Sequence, residues 1–217
     1  MGALSTYTTQ VQRLLHDPNA QFWSTSELTD YINEARYRVA QDSKCLRQLA
    51  TNASLGLVLT AGVESYNPTT FIPAPLGPLV VDVMGVTVYW GNTRQKLAYY
   101  AFTEFDARYR YWNQLQTIPA AFTRMSPVQI LIGPPPDQNY AVDIEVAVIP
   151  NALTSDATVE QLPIPFQEPV QYYAAYKAKF KEQSLGEKDM YLKDYVRTLQ
   201  WCQRSYMTRV IQNPYVR

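Results

Sequence analysis

The sequence predicts an α+β fold, mainly helical, with N- and C-terminal helix pairs packed as a bundle and a central β-rich insert. Three observations point there. Apolar residues recur at three- and four-residue steps near both ends, the step falls to two between Thr51 and Pro150, and proline-rich stretches punctuate the chain. On this reading the 217 residues form a single domain, with helices in 1–50 and 166–212, a β-rich region in 51–165 and a tail at 213–217.

The first helix is carried by Leu4, Tyr7, Val11, Leu14 and Leu15, and His16-Asp17-Pro18-Asn19 ends it. Ser24 followed by Glu27 then forms a capping box, with Trp23 placed to staple onto Leu28. The helix it opens carries Leu28, Tyr31, Ile32, Ala35 and Val39 and runs to about Lys44. Strand patterns follow at Leu55–Leu59, Leu79–Trp90, Val128–Ile132 and Tyr140–Val148. In the last, Asp143 and Glu145 alternate with Val142, Ile144 and Val146, which predicts one wet and one dry face. A short helix fits Thr103 to Tyr111. The stretch Phe71-Ile72-Pro73-Ala74-Pro75-Leu76-Gly77-Pro78 is expected to be an extended loop, since proline cannot donate within a central strand. After Leu162–Phe166 come two helices, the first lined by Phe166, Val170, Tyr173 and Phe180. The second is lined by Leu192, Tyr195, Val196, Leu199, Cys202, Tyr206 and Val210.

Composition narrows the function. Charged residues are 18% of the chain, and 17 Tyr, 7 Phe and 4 Trp make it rich in rings. A tyrosine-rich surface can bury against a partner, and the same residues also suit a mixed core. Residues 1–165 hold 10 Lys/Arg against 14 Asp/Glu, a balance of −4, while 166–217 hold 9 against 5, a balance of +4. The C-terminal cations alternate with acids at helical spacing, as on a solvated helix face. Cys45 and Cys202 read as free thiols of a reducing compartment. The start Met1–Thr6 lacks the basic flank and apolar run of a signal peptide, and no membrane partner is expected.

Catalytic chemistry is missing from the sequence. His16 is the one histidine, and neither a nucleophile elbow, a phosphate loop nor a metal-ligand cluster is visible. No catalytic, cofactor-binding or metal-binding residue is assigned, and no cofactor is expected. Two carboxylate pairs, Glu104 with Asp106 and Asp143 with Glu145, are the nearest approach to glycosidase chemistry. Arg108-Tyr109-Arg110-Tyr111-Trp112 interleaves cations and rings. That pattern suits stacked bases or a helix end with snorkelling arginines.

The run Val11–Pro18, then Trp23-Ser24 and Glu27-Leu28-Thr29-Asp30-Tyr31-Ile32-Asn33-Glu34-Ala35, resembles the start of the head–tail adaptor (connector, or head-completion) proteins of tailed bacteriophages. The resemblance continues through Leu57–Pro68, the stretch Ile130–Asp137 and the Ile164-Pro165-Phe166 lead into the last two helices. The chain departs from the family in its longer proline-rich stretch from Asn67 to Pro78. The resemblance implies a structural, non-enzymatic virion protein, made in the host cytoplasm and placed in the neck between capsid and tail. It implies a ring, commonly twelvefold, below the portal that extends the DNA channel. The implied partners are the portal protein, neighbouring copies of itself, a downstream neck or tail protein, and genomic DNA in transient non-specific contact. Tyr206, Arg209, Tyr215 and Arg217 are the candidate portal contacts, and Phe71, Ile72 and Leu76 the candidate ring or neck contact loop. Competing readings are another neck component, such as a stopper or tail-tube-proximal ring, a tail-borne cell-wall hydrolase, and a free-standing nucleic-acid-binding protein.

Overall fold

The computed structural model describes residues 3–108, 113–126 and 129–206. The elements in chain order are α1 (Ala3–Leu14), α2 (Thr25–Ser43), β1 (Arg47–Ala50), α3 (Asn52–Leu55), β2 (Val58–Leu59), β3 (Ser65–Tyr66) and α4 (Pro68–Phe71). A 3₁₀ turn (Gly77–Leu79) leads into β4 (Val80–Trp90), β5 (Thr93–Lys96), β6 (Ala98–Tyr99), α5 (Phe102–Arg108), β7 (Ala121–Ser126), β8 (Gln129–Gly133) and β9 (Tyr140–Val148). A second 3₁₀ turn (Ile164–Phe166) opens α6 (Glu168–Lys181) and α7 (Leu185–Tyr206). With 44% helix and 23% strand, the class is α+β. The chain divides into two compact units, Met1–Leu46 with Pro150–Arg217, and Arg47–Ile149.

In the helical unit, α1, α2, α6 and α7 contribute to one apolar core. The Ser24 hydroxyl caps α2 by accepting from the Glu27 N–H, as the capping box predicts. The Glu27 carboxylate does not reach back; it accepts from the Tyr31 hydroxyl and pairs with Lys181. Asp17 organises the α1–α2 turn. Its two carboxylate oxygens accept from the N–H groups of Gln21, Phe22 and Trp23, and those bonds hold its carboxyl below the usual range. On α6 the buried residues are Pro169, Val170, Ala174, Ala175 and Ala178, small enough for close approach, and Phe180 stays 56% exposed where a core position was expected. On α7 they are Tyr191, Tyr195, Leu199 and Cys202. The two tyrosines tie α7 to the N-terminal pair, since Tyr191 donates to the Leu14 carbonyl and Tyr195 to the Asp42 carboxylate.

A buried polar network fastens the segment after Pro150 to α2. Asn33 exchanges two hydrogen bonds with the Leu153 backbone, at 2.7 and 3.0 Å. Arg36, with no exposed side-chain surface, donates to both Glu160 oxygens, to Asn33 and to the Asn151 carbonyl. Glu160 also accepts from the Gln161 and Leu162 N–H groups. Burial pushes the Glu160 carboxyl up, but the Arg36 and backbone donors outweigh it, so the group titrates below its ordinary range. Burial, and then the neighbouring Glu160 carboxylate, raises the Tyr7 phenol. Leu153 and Leu162 are buried in the helical core, so 150–165 joins that unit although its sequence read as part of the β-rich region.

The second unit contains two sheets. One has the order β1-β9-β4-β5, with β2 also on β9 and every pairing antiparallel. The other is β3-β8-β7-β6, parallel only between β6 and β7. β1 falls inside the range expected to be helical. A left-handed Lys44 closes α2, and the chain can then pair along β9. The Phe71–Pro78 stretch is compact rather than extended. Its backbone closes on itself through Gly77 N–H to the Pro73 carbonyl and Leu79 N–H to the Leu76 carbonyl. Gly77 is required there: a Cβ would collide with the Ile72 carbonyl oxygen and lie 2.7 Å from that of Thr69.

Three outcomes follow. Arg36→Met should destabilise the helical unit by about 3–5 kcal/mol by stranding a buried carboxylate, while Arg38→Met, at an exposed pair, should cost under about 1 kcal/mol; chemical denaturation reads both. Because the folded Glu160 titrates low, its contribution is full above the ordinary glutamate range and is lost as pH falls through its folded value. Glu160→Gln should therefore flatten the fall of Tm between neutral and acid pH, with the variant already lower at neutral pH. Gly77→Ala should cost about 1–3 kcal/mol through steric overlap and exceed Gly56→Ala, where no atom lies within 4 Å of the added Cβ and only the positive φ opposes it.

Candidate functional site

An exposed stripe runs along α7, opposite its buried one. Met190, Asp194, Arg197, Trp201 and Arg204 follow three- and four-residue steps and so share one helix face. Met190 and Trp201 are each 52% exposed. With Glu168 and Tyr172 of α6, the lower part of this stripe lines an open groove of 630 Å³. Burial raises the Tyr172 phenol, helped by the Glu168 and Asp194 carboxylates and opposed by Arg197. Glu168, Asp194, Arg197 and Arg204 form no ion pair with another described residue.

Elsewhere on the helical surface, several charges are paired. Lys177 pairs with Glu34, Lys179 with Glu182 and Glu187, and Lys181 with Glu27, which is the solvated face that the alternating charges predict. Donating to Glu34, and to Glu182 and Glu187, raises the Lys177 and Lys179 ammonium groups respectively. The groove thus sets four charges, without an ion pair among the described residues, around a half-exposed Trp201. Sequence reading missed it because the buried stripe of α7 was taken first. The second stripe carries its own 3–4 spacing, and Trp201 on it was the available signal.

The residues singled out as portal contacts fall mainly beyond the described part of the chain. Tyr206 is on the last described turn of α7, and Arg209, Tyr215 and Arg217 lie outside the described residues. In the compact proline-rich segment, Ile72 is 1% exposed and belongs to the interior, while Phe71 and Leu76 are half-buried. Phe71 stacks edge-on against Tyr66 at 5.0 Å. Of the three, only Phe71 and Leu76 retain surface that a neighbour can reach.

Of the carboxylates weighed as catalytic pairs, Asp143, Glu145 and Glu104 are engaged, while Asp106 is exposed. Asp143 is only 5% exposed, not on a wet face, because α3 and β5 cover it. Its oxygens accept from the Asn52 N–H at 2.8 Å and from the Tyr89 hydroxyl at 2.5 Å, and Arg94 lies 3.7 Å away. That hydrogen bond raises the Tyr89 phenol. Glu145 faces Arg47 at 3.5 Å, and Glu104 pairs with Arg108 at 3.0 Å along α5. Arg108 also lies over the Tyr100 ring at 4.6 Å, so within the described residues this arginine is held by its own unit. The remainder of the Arg108–Trp112 run is outside the described residues. Among the described residues there is no group of three or more His, Cys, Asp or Glu placed to hold a metal ion, and no helix is long and apolar enough to cross a membrane.

No curated protein matches the chain. The model of the SU10 adaptor protein family matches residues 3–211, nearly its whole length, and the chain belongs to that family of phage adaptor proteins.

Proposed function

We propose that this protein is a head–tail adaptor subunit, a non-enzymatic structural component of the virion neck that forms a ring, of about twelve copies in the manner of its family, below the portal. The ring extends the DNA channel toward the tail. The family match over residues 3–211 carries this reading. Two properties of the chain support it. The zero net charge suits a conduit, since each neutralised phosphate would release counterions and strengthen the hold on passing DNA. A ring closed by head-to-tail contacts needs two different patches per subunit, and a protein with an exposed aromatic–charged groove has surface available for one of them.

In this reading the two helix pairs act as one bundle, and α7 presents Tyr206 and the tail residues Arg209, Tyr215 and Arg217 to the portal. Phe71 and Leu76, backed by Ile72, touch a neighbouring copy or the next neck protein. Assembly takes place in the host cytoplasm, and the mature site is the neck.

Deleting residues 212–217 should abolish docking to the portal while the circular dichroism and Tm of the subunit stay unchanged. Negative-stain imaging of the protein mixed with the portal from its own genome reads this directly. Portal particles extended at one end by the truncated protein as often as by the intact one would remove the tail from the docking role.

A further inference from the structure

The outward face of α7 is symmetric about one residue. Leu199 is buried in the helical core. Arg197 and Trp201 stand two places to either side of it, and Asp194 and Arg204 stand five places to either side. At 3.6 residues per turn, all four fall within about 40° of the direction opposite Leu199. All four line the groove between α6 and α7.

That symmetry decides which groups meet when the face is laid against a copy of itself. In an antiparallel pair of helices related by a two-fold axis at Leu199, a residue some places before it comes level with the residue equally far after it in the other copy. Asp194 of each copy then lies level with Arg204 of the other, and Arg197 of each with the Trp201 ring of the other. The first match is an ion pair and the second a cation–π contact, and each is made twice. A parallel alignment in the same register would instead set every charge against itself. Glu168 of α6 also lines the groove, so the lining holds two acids and two arginines and carries no net charge to keep copies apart. Lys193, at the edge of the face, comes level with Ser205 and meets no cation. Trp, Tyr and Arg, the types that dominate binding energy at interfaces, are all present in the lining.

We propose that the free protein forms a two-fold dimer through this groove, with α7 packed antiparallel against α7 of a second copy and centred on Leu199. Each patch meets itself, so the contact is isologous and closes at two copies. It is a state of the free subunit and not the propagating contact of a ring. From Asp194 to Arg204 the helix spans about 15 Å. A contact of that length is at the small end of specific interfaces, and the dimer should dissociate at roughly micromolar concentration. Where the ring reading holds, a groove covered in this way is closed to neighbours until the pair opens, which keeps subunits apart from one another's rings ahead of the portal.

The test is sedimentation velocity of the full-length protein, without portal, from about 1 to 100 μM. The dimer fraction should rise across that range. Asp194→Lys and Arg204→Glu each set like charges together twice per dimer, and each should weaken it about tenfold or more. An equimolar mixture of the two variants should recover the dimer, because a pair with one chain of each kind has opposite charges at both contacts. A local folding defect cannot produce that recovery. Wild-type protein that stays monomeric at the top of the range would overturn the proposal. So would single variants that dimerise as the wild type does, or a mixture no more dimeric than its components. The charge-swap pattern in the free protein supports the pairing even where no ring forms on the portal, so the two readings fail separately.

Discussion

The buried arginine of α2 is the constraint on which the rest of the helical unit depends. The chain leaves that unit after Leu46, builds the whole of the second unit, and returns at Pro150. Such an excursion carries a closure entropy that grows with the logarithm of its length, and something must hold the returning strand in register. Arg36 and Asn33 do so. They hold the Asn151 and Leu153 backbone and the Glu160 carboxylate where the chain comes back, beside Leu153, Leu162 and Phe166, which are buried in the core that α6 shares. A guanidinium with no exposed surface is costly to bury alone. Here it has donors directed to two side chains and a carbonyl, so the network is satisfied and specific.

The surface logic follows from the same packing. Alanines at 174, 175 and 178 let α6 approach its neighbours closely, and the buried stripe of α7 then turns Tyr191, Tyr195, Leu199 and Cys202 inward. Whatever occupies the opposite face of α7 is displayed. That face is where Trp201 and the unpaired arginines are, while the lysines of α6 are neutralised by acids of α2 and α7. In the second unit two carboxylates are buried: Asp82 pairs with Arg124, and Asp143 is held by Tyr89 and Asn52. Glu104 with Arg108 and Glu145 with Arg47 pair nearer the surface.

Much of the helical unit was legible in the chain itself. Tyr7 and Val11 on α1, Leu15 just after it, the Ser24 cap, and Leu28, Ile32, Ala35 and Val39 on α2 are buried or capped as their spacing requires, because helical periodicity and capping are local properties. The Ile32-Asn33 pair that carried the family resemblance has a physical role that no spacing reveals, since its partner Leu153 is 120 residues away. Phe180 misled for a related reason. It fits the apolar period of α6, but which arc of a helix is covered depends on the neighbours, and those placed the alanines inward. Asp143 misled in the opposite sense: alternation assigned it to a wet face, and α3 and Tyr89 closed over it.

The sequence by itself determined the class of fold, the presence of the four long helices, the existence of the central strands and the family, because each rests on short-range patterns or on their order along the chain. Tertiary structure alone decided that 150–165 belongs with the helices, that Ile72 is interior while Phe180 and Trp201 are not, and which charges are left without partners. Those outcomes depend on pairings between residues far apart in the chain, and such pairings are set by packing and by the satisfaction of buried polar groups rather than by any local propensity.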